Sequence, residues 1–250
     1  MNMRIAVLAA TLITSGRLAA QTVDHVALGD KDHAAGNAAG ALQHYKAAIA
    51  ADSMNADALW RASRETVDLG EFDDARRDSL YKVADGLARR AVAAAPNSAL
   101  AHFALAKAVG RYALTLGTRD RVKYAGEVRT EALESIRLDS INPGALHVMG
   151  MWHANIMRLN GFSRFMAKNL LGGKTFGEAN WDDAAKSLER ASALEPDRIV
   201  HALDLAAVYR DRGERDKAKA QYQRALSLKA VEYNDKNYQG QAKRELAELK

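Results

Sequence analysis

Seven histidines, at positions 25, 33, 44, 102, 147, 153 and 201, are the side chains best suited to acid–base or metal chemistry. They form no HExxH pattern, and only His201, with Asp204 one helical turn on, has a carboxylate at ligand spacing. A single pair of this kind reads as a solvated helix face rather than a metal site. Gly172-Gly173-Lys174-Thr175 has the ending of a phosphate-cradling loop. That loop needs a glycine five residues before Gly173, where Lys168 stands, and a strand ahead of it. Ser98, Ser135 and Ser163 lack a nucleophile-elbow context, and no carboxylate pair stands out from ordinary helix surface charge. The absence of cysteine excludes a thiol nucleophile, a Cys-ligated metal or cluster, a disulfide framework and lipid attachment to an N-terminal Cys. The residues therefore point to binding without catalysis, with neither a metal nor a cofactor.

The elements that would carry a binding surface are helical. Three prolines among 250 residues, few β-branched runs and an Ala-, Leu- and Arg-rich composition favour helix throughout. A net charge of +5 is too small and too evenly spread to indicate nucleic acid as a partner. Residues 1–20 read as a secretory signal peptide: Arg4, an apolar run from Ile5 to Ile13 too short to span a bilayer, then Leu18-Ala19-Ala20 before Gln21. Nothing downstream is apolar for long enough to cross a membrane, so residues 21–250 are expected to be periplasmic or secreted.

Within 21–250 the strongest signal is repetition. Ala41, Tyr45 and Ala48 recur at spacings of four and three, as do Ala184, Leu188 and Ala191, and again Ala218, Tyr222 and Ala225. Each triplet is one helix face with small residues where a neighbour must approach closely. Gly70-Glu71-Phe72 and Gly213-Glu214-Arg215 mark turns, glycine ending one helix and an acid helping to start the next. The later small residue of each hairpin falls at Ala48, Ala91, Ser135, Ala191 and Ala225, with insertions stretching three intervals.

These residues resemble tetratricopeptide repeats, helical hairpins of 34 residues that stack into a right-handed superhelix. The resemblance implies an all-α solenoid of about five hairpins, with a polar helix from Asn234 to Lys250 as its cap. The order of features from about residue 75 narrows the likeness: Gly150-Met151-Trp152, an insertion ending in Leu171-Gly172-Gly173, then a final hairpin and polar helix. This order is similar to the tetratricopeptide-like domain of the regulator of microtubule dynamics family. It implies an interaction or lipid-contact module with no catalytic residues; a microtubule role does not suit a chain read as exported.

Repeat geometry then locates the binding surface. The first helix of each hairpin lines the concave side. Its inward offsets select Trp60 and Arg64, then Phe103, Lys107 and Arg111, then His147, Met151 and Asn155, and finally Leu203. Aromatic and apolar side chains interleave with bases, which suits an acidic peptide or an anionic lipid. The competing reading packs Phe103, Met151 and Leu203 between helices and leaves the bases in water. Two insertions add positive charge: four bases and no acid from Arg158 to Lys174, and six bases against two acids from Lys107 to Arg129. Phe162, Phe165, Met166 and Leu170 make an apolar helix stripe flanked by Arg164 and Lys168. The segment 159–179 is expected to lid the groove, lie on a membrane surface, or pack across the fourth repeat as core. The chain is thus read as an exported, non-enzymatic binding module: a protein–protein scaffold in the cell envelope or, alternatively, a receptor for a phospholipid or other amphipathic anion.

Overall fold

The computed structural model describes residues 23–159 and 174–249. The segment read as a leader lies outside them, as do Phe162, Arg164, Phe165, Met166, Lys168 and Leu170. The described residues form eleven α-helices and no strand: α1 (His25–Ala34), α2 (Ala38–Ala51), α3 (Ala56–Gly70), α4 (Arg77–Ala94), α5 (Ala99–Leu114), α6 (Thr118–Leu138), α7 (Pro143–Met157), α8 (Trp181–Leu194), α9 (Ile199–Asp211), α10 (Arg215–Ser227) and α11 (Asp235–Glu248). A short 3-10 turn, Lys174–Glu178, precedes α8.

The starts of these helices follow from short polar side chains. The side-chain oxygens of Asn37, Asn55, Ser98, Asn142 and Asn180 each accept a bond from a backbone N–H three residues on. Each satisfies a donor that the first helical turn leaves open. Pro143 follows the Asn142 cap as the first residue of α7, where its missing N–H costs nothing. Gly213, with φ of +77°, supplies the left-handed residue after α9. Gly70 is the last residue of α3, as expected of a glycine that ends a helix, and a Cβ there would stand 2.9 Å from the Tyr81 ring, so it also permits close approach.

Successive helices pack as antiparallel-type hairpins α1/α2, α3/α4, α5/α6, α7/α8 and α9/α10, and α11 caps the last pair. The repeat positions are buried as the register requires: Tyr45, Ala91, Ser135, Leu188, Ala191, Tyr222 and Ala225 are all 0 % exposed. Small residues receive large ones across three of the hairpins, α1/α2, α3/α4 and α7/α8. A Cβ on Gly29 would lie 2.4 Å from the Tyr45 ring, and one on Gly150 would lie 2.6 Å from Leu188. Fully burying a leucine such as Leu59 or Leu188 contributes about 1.5–3 kcal/mol. The fold is an all-α tetratricopeptide-like solenoid of five hairpins and a cap.

The array also closes on itself. Asn234, between α10 and α11, donates its Nδ2 to the Asp68 carbonyl at 2.8 Å, and Tyr238 of α11 meets Phe72 edge-on at 5.5 Å. The end of the fifth repeat therefore touches the second.

Candidate functional site

Closure turns the concave face into a cavity of about 460 Å³. Trp60, Arg64, Phe103, Lys107, Arg111, His147, Met151, Asn155 and Leu203 all line it, because α3, α5, α7 and α9 each turn the same face inward. They differ in how much they can offer. Leu203 is 1 % and Trp60 6 % exposed, so both serve mainly as wall. Trp60 is fixed by its Nε1–H bond to Asp57 (3.0 Å) and by the Arg61 and Arg64 guanidinium groups over its ring. Phe103, Lys107, Arg111, His147, Met151 and Asn155 remain partly accessible.

Each of the expected groove bases already has a carboxylate beside it, although Arg64 Nη2 is buried without a hydrogen-bond partner among the described residues. Lys107 Nζ lies 2.8 Å from Asp68, Arg111 Nη1 lies 2.7 Å from Glu71, and Arg64 Nε lies 2.8 Å from the buried Glu65, which also meets His33 at 3.0 Å. Arg198 pairs with Glu232. Burial pulls the Asp68 carboxyl upward, but the Lys107 charge and hydrogen bond outweigh it and hold Asp68 below its usual range. Apart from Arg64–Glu65, neighbours on α3, offsets within one hairpin cannot reveal these pairs, because Lys107 and Arg111 reach carboxylates of the preceding repeat and Arg198 reaches the C-terminal segment. The wall is charge-balanced rather than basic.

A second network was hidden in the same way. His147 Nε2 lies 3.0 Å from Asp204, the His147 and His201 Nδ1 atoms are 2.8 Å apart, and His201 Nε2 lies 3.0 Å from Glu195. Burial is the largest influence on His201 and outweighs its hydrogen bond to Glu195, so the ring is depressed to about 4. The hydrogen bond from His201 lowers Glu195. Asp204 is raised by burial but lowered further by His147, Arg111 and Arg158, and it ends below its usual range. Asp204 thus partners His147 across α7 and α9, and neither it nor His201 sits on a solvated face. Among the described residues no group of three or more such side chains could hold a metal ion.

Beyond the charges the cavity has an apolar arm between α5, α6 and α7. Val122 and Val128, both nearly buried, face Phe103, Val148, Trp152, Ile156 and Phe176, and Trp152 is anchored by its Nε1–H bond to the Ala125 carbonyl at 2.7 Å. Arg121 lies beside it and, among the described residues, bonds only the carbonyls of Leu114 and Leu116, with its Nε buried and without a partner there. The sequence signal was present as Val122, Ala125 and Val128 in steps of three, overshadowed by the bases between them. The serines considered for catalysis are structural: Ser98 caps α5, and Ser135 donates to the Ala99 carbonyl at 2.8 Å. Ser163, Gly172 and Gly173 lie outside the described residues, and no described helix is long and apolar enough to cross a membrane.

Comparison with known proteins agrees with this architecture. A thermophilic tetratricopeptide protein of Thermus thermophilus, TTC0263, is similar over 88 % of this chain and 97 % of its own, at 22 % identity and a TM-score of 0.60. The MamA protein aligns at 20 % identity over 81 % of this chain and 88 % of its own, with a TM-score of 0.44. YrrB, described as a tetratricopeptide protein with an unusual peptide-binding site, aligns at 15 % over 88 % and 90 %, with a TM-score of 0.42. No curated protein sequence matches the chain. The profile of the family described as regulator of microtubule dynamics protein 1-3 matches residues 20–250, nearly the whole length, and the chain belongs to that family.

Proposed function

We propose that the protein is an exported, non-enzymatic scaffold whose concave cavity receives a segment of a protein or peptide partner. The observation that carries this reading is the convergence of α3, α5, α7 and α9 on one partly apolar cavity that remains open at its mouth. Most of its charges, Arg121 excepted, are already paired, so a partner gains most by bringing apolar side chains for Phe103 and Met151 and polar groups of both signs. A run of acids would compete with Asp68, Glu71 and Asp204. Export rests on the leader-like residues 1–20 and places the protein in the periplasm or outside the cell; the intact mass of the native protein should correspond to a chain starting near Gln21.

A second reading, an amphipathic anion such as a phospholipid, is favoured by one specific feature. The apolar arm lies beside Arg121, the cavity-lining arginine that has no carboxylate partner among the described residues. One experiment separates the two. A photo-crosslinking residue at Phe103, activated in the native host, should yield an adduct with the mass of a polypeptide. A lipid-mass adduct selects the second reading, and adducts formed only from a control position on the outer face, Lys186, would overturn both.

A further inference from the structure

The segment between α10 and α11, residues 228–234, crosses the mouth of the cavity and supplies Glu232, Tyr233 and Asn234 to its lining. It is not helical, and much of what shapes it is local: Val231 N–H and Glu232 N–H both donate to Asp235 Oδ2, at 2.8 and 2.7 Å, and Gln239 Nε2 donates to the Leu228 carbonyl. Its anchors to the rest of the ring are sparse. Leu228 and Ala230 at its start pack on the core of the last repeats; beyond them it is held by the Glu232–Arg198 ion pair, the Asn234 bond to the Asp68 carbonyl and the approach of the Val231 carbonyl to Gly36, with the Phe72–Tyr238 edge contact just after it on α11. Val231 and Tyr233 stay half exposed, whereas the seams between hairpins bury whole rows of side chains.

The seat is also poorly satisfied. Asn234 is 4 % exposed, yet its Oδ1 has no hydrogen-bond partner, and Arg198 Nε beneath the segment has none either. Buried polar atoms normally find partners, and each orphan subtracts from the stability of the state that holds it. Burial raises the Glu232 carboxyl above its usual range, with Asp68 and Asp235 adding to the effect and Arg198 opposing it. The closed position therefore combines few holding contacts with unmet polar groups on both sides of the seam.

We propose that residues 228–234 act as a strap bound in cis over the cavity, and that a guest reaches the cavity when the strap lifts from Asp68 and Arg198. The inference rests on the reading that the cavity takes a guest. It adds an autoinhibitory step, because a protein that must first open binds with an affinity reduced by its open fraction. Loosening the strap should then strengthen binding, whereas loosening a fixed wall would weaken it.

Phe72 tests this well, being partly exposed and outside the cavity lining, and the lack of cysteine allows clean spin labelling at exposed Lys46 and at Val231. The probe is the neutral dye N-phenyl-1-naphthylamine, mixed in stopped flow with wild type, Phe72→Ala and Asn234→Ala. Wild-type uptake should reach a limiting rate at high dye concentration. Both variants should take up dye faster and more tightly by roughly 2- to 10-fold, the equivalent of one hydrogen bond or edge contact. Their Lys46→Cys/Val231→Cys spin-label distances should gain a longer component. Dye uptake with unchanged rates and distances in both variants overturns the strap and leaves the cavity reading intact. Lengthened distances without dye uptake in any variant support the strap and overturn the cavity reading.

Discussion

The His147–His201 chain makes the acid stability of the protein depend on a ring that resists protonation. His201 is 3 % exposed and titrates at about 4 when folded, against 6.5 for the ordinary side chain. Between those values the unfolded chain binds the proton and the folded chain does not. Stability is therefore fully present above about pH 6.5 and falls with pH until the folded value is reached. For this shift the loss from His201 alone is about 1 kcal/mol at pH ~5.5 and about 2–3 kcal/mol at pH ~4.5. Glu195 and Asp204, both held low, lose their contributions in the same direction at lower pH still. Urea unfolding of wild type and His201→Gln at pH ~7.5 and ~5.5 compares the network with and without this ring, because the carboxylates scarcely titrate there and the histidines outside the His147–His201 pair are common to both. Wild type should lose about 1 kcal/mol more than the variant, and ring NMR should show His201 neutral throughout. Equal losses, together with a His201 ring that titrates near 6.5, would refute the reasoning.

Further outcomes follow from packing and charge. Gly150→Ala should destabilise by about 1–3 kcal/mol in chemical denaturation, since its Cβ would stand 2.6 Å from Leu188 and 3.0 Å from the Ala184 carbonyl. Gly86→Ala, in α4 with nothing within 4 Å, should instead stabilise by about 0.5–1 kcal/mol through helix propensity. Ala191→Trp and Ala225→Trp, at fully buried repeat positions, should lower Tm strongly by overpacking, while Lys186→Trp and Lys219→Trp on exposed faces stay within about 0.5 kcal/mol. Arg111→Met should cost about 1–3 kcal/mol by leaving Glu71 half-buried and unpaired, and the added Glu71→Gln change should recover part of it in a double-mutant cycle.

The hairpins were legible because their determinants are local. Ala184, Leu188 and Ala191 lie on one helix, and asparagines 37, 55 and 142 cap helices three residues away, so spacing alone carries the information. The inward offsets of Phe103, Lys107, Arg111 and Met151 were readable for the same reason. Their electrostatic surroundings were not. Asp68 reaches Lys107 across 39 residues and Asp204 reaches His147 across 57, separations that only the stacking of repeats converts into contact. The polar helix after Asn234 was expected as a cap, and Tyr238 and Ala242 bury its inner face. Its linker's passage across the concave side could not be read from any periodicity, since closure depends on the summed rotation of five hairpins.

That closure has a consequence for how such a chain can change over evolutionary time. Open repeat arrays are nearly one-dimensional: each unit meets only its neighbours, so units can be duplicated or lost and the remainder still folds. Here Asn234 must find the Asp68 carbonyl 166 residues earlier. Adding or deleting one hairpin would rotate and translate the last repeat away from the second and leave the ends unable to meet. The number of repeats is thus a fixed property of this architecture, and variation is confined to the lengths of turns and insertions that leave the sum of rotations unchanged.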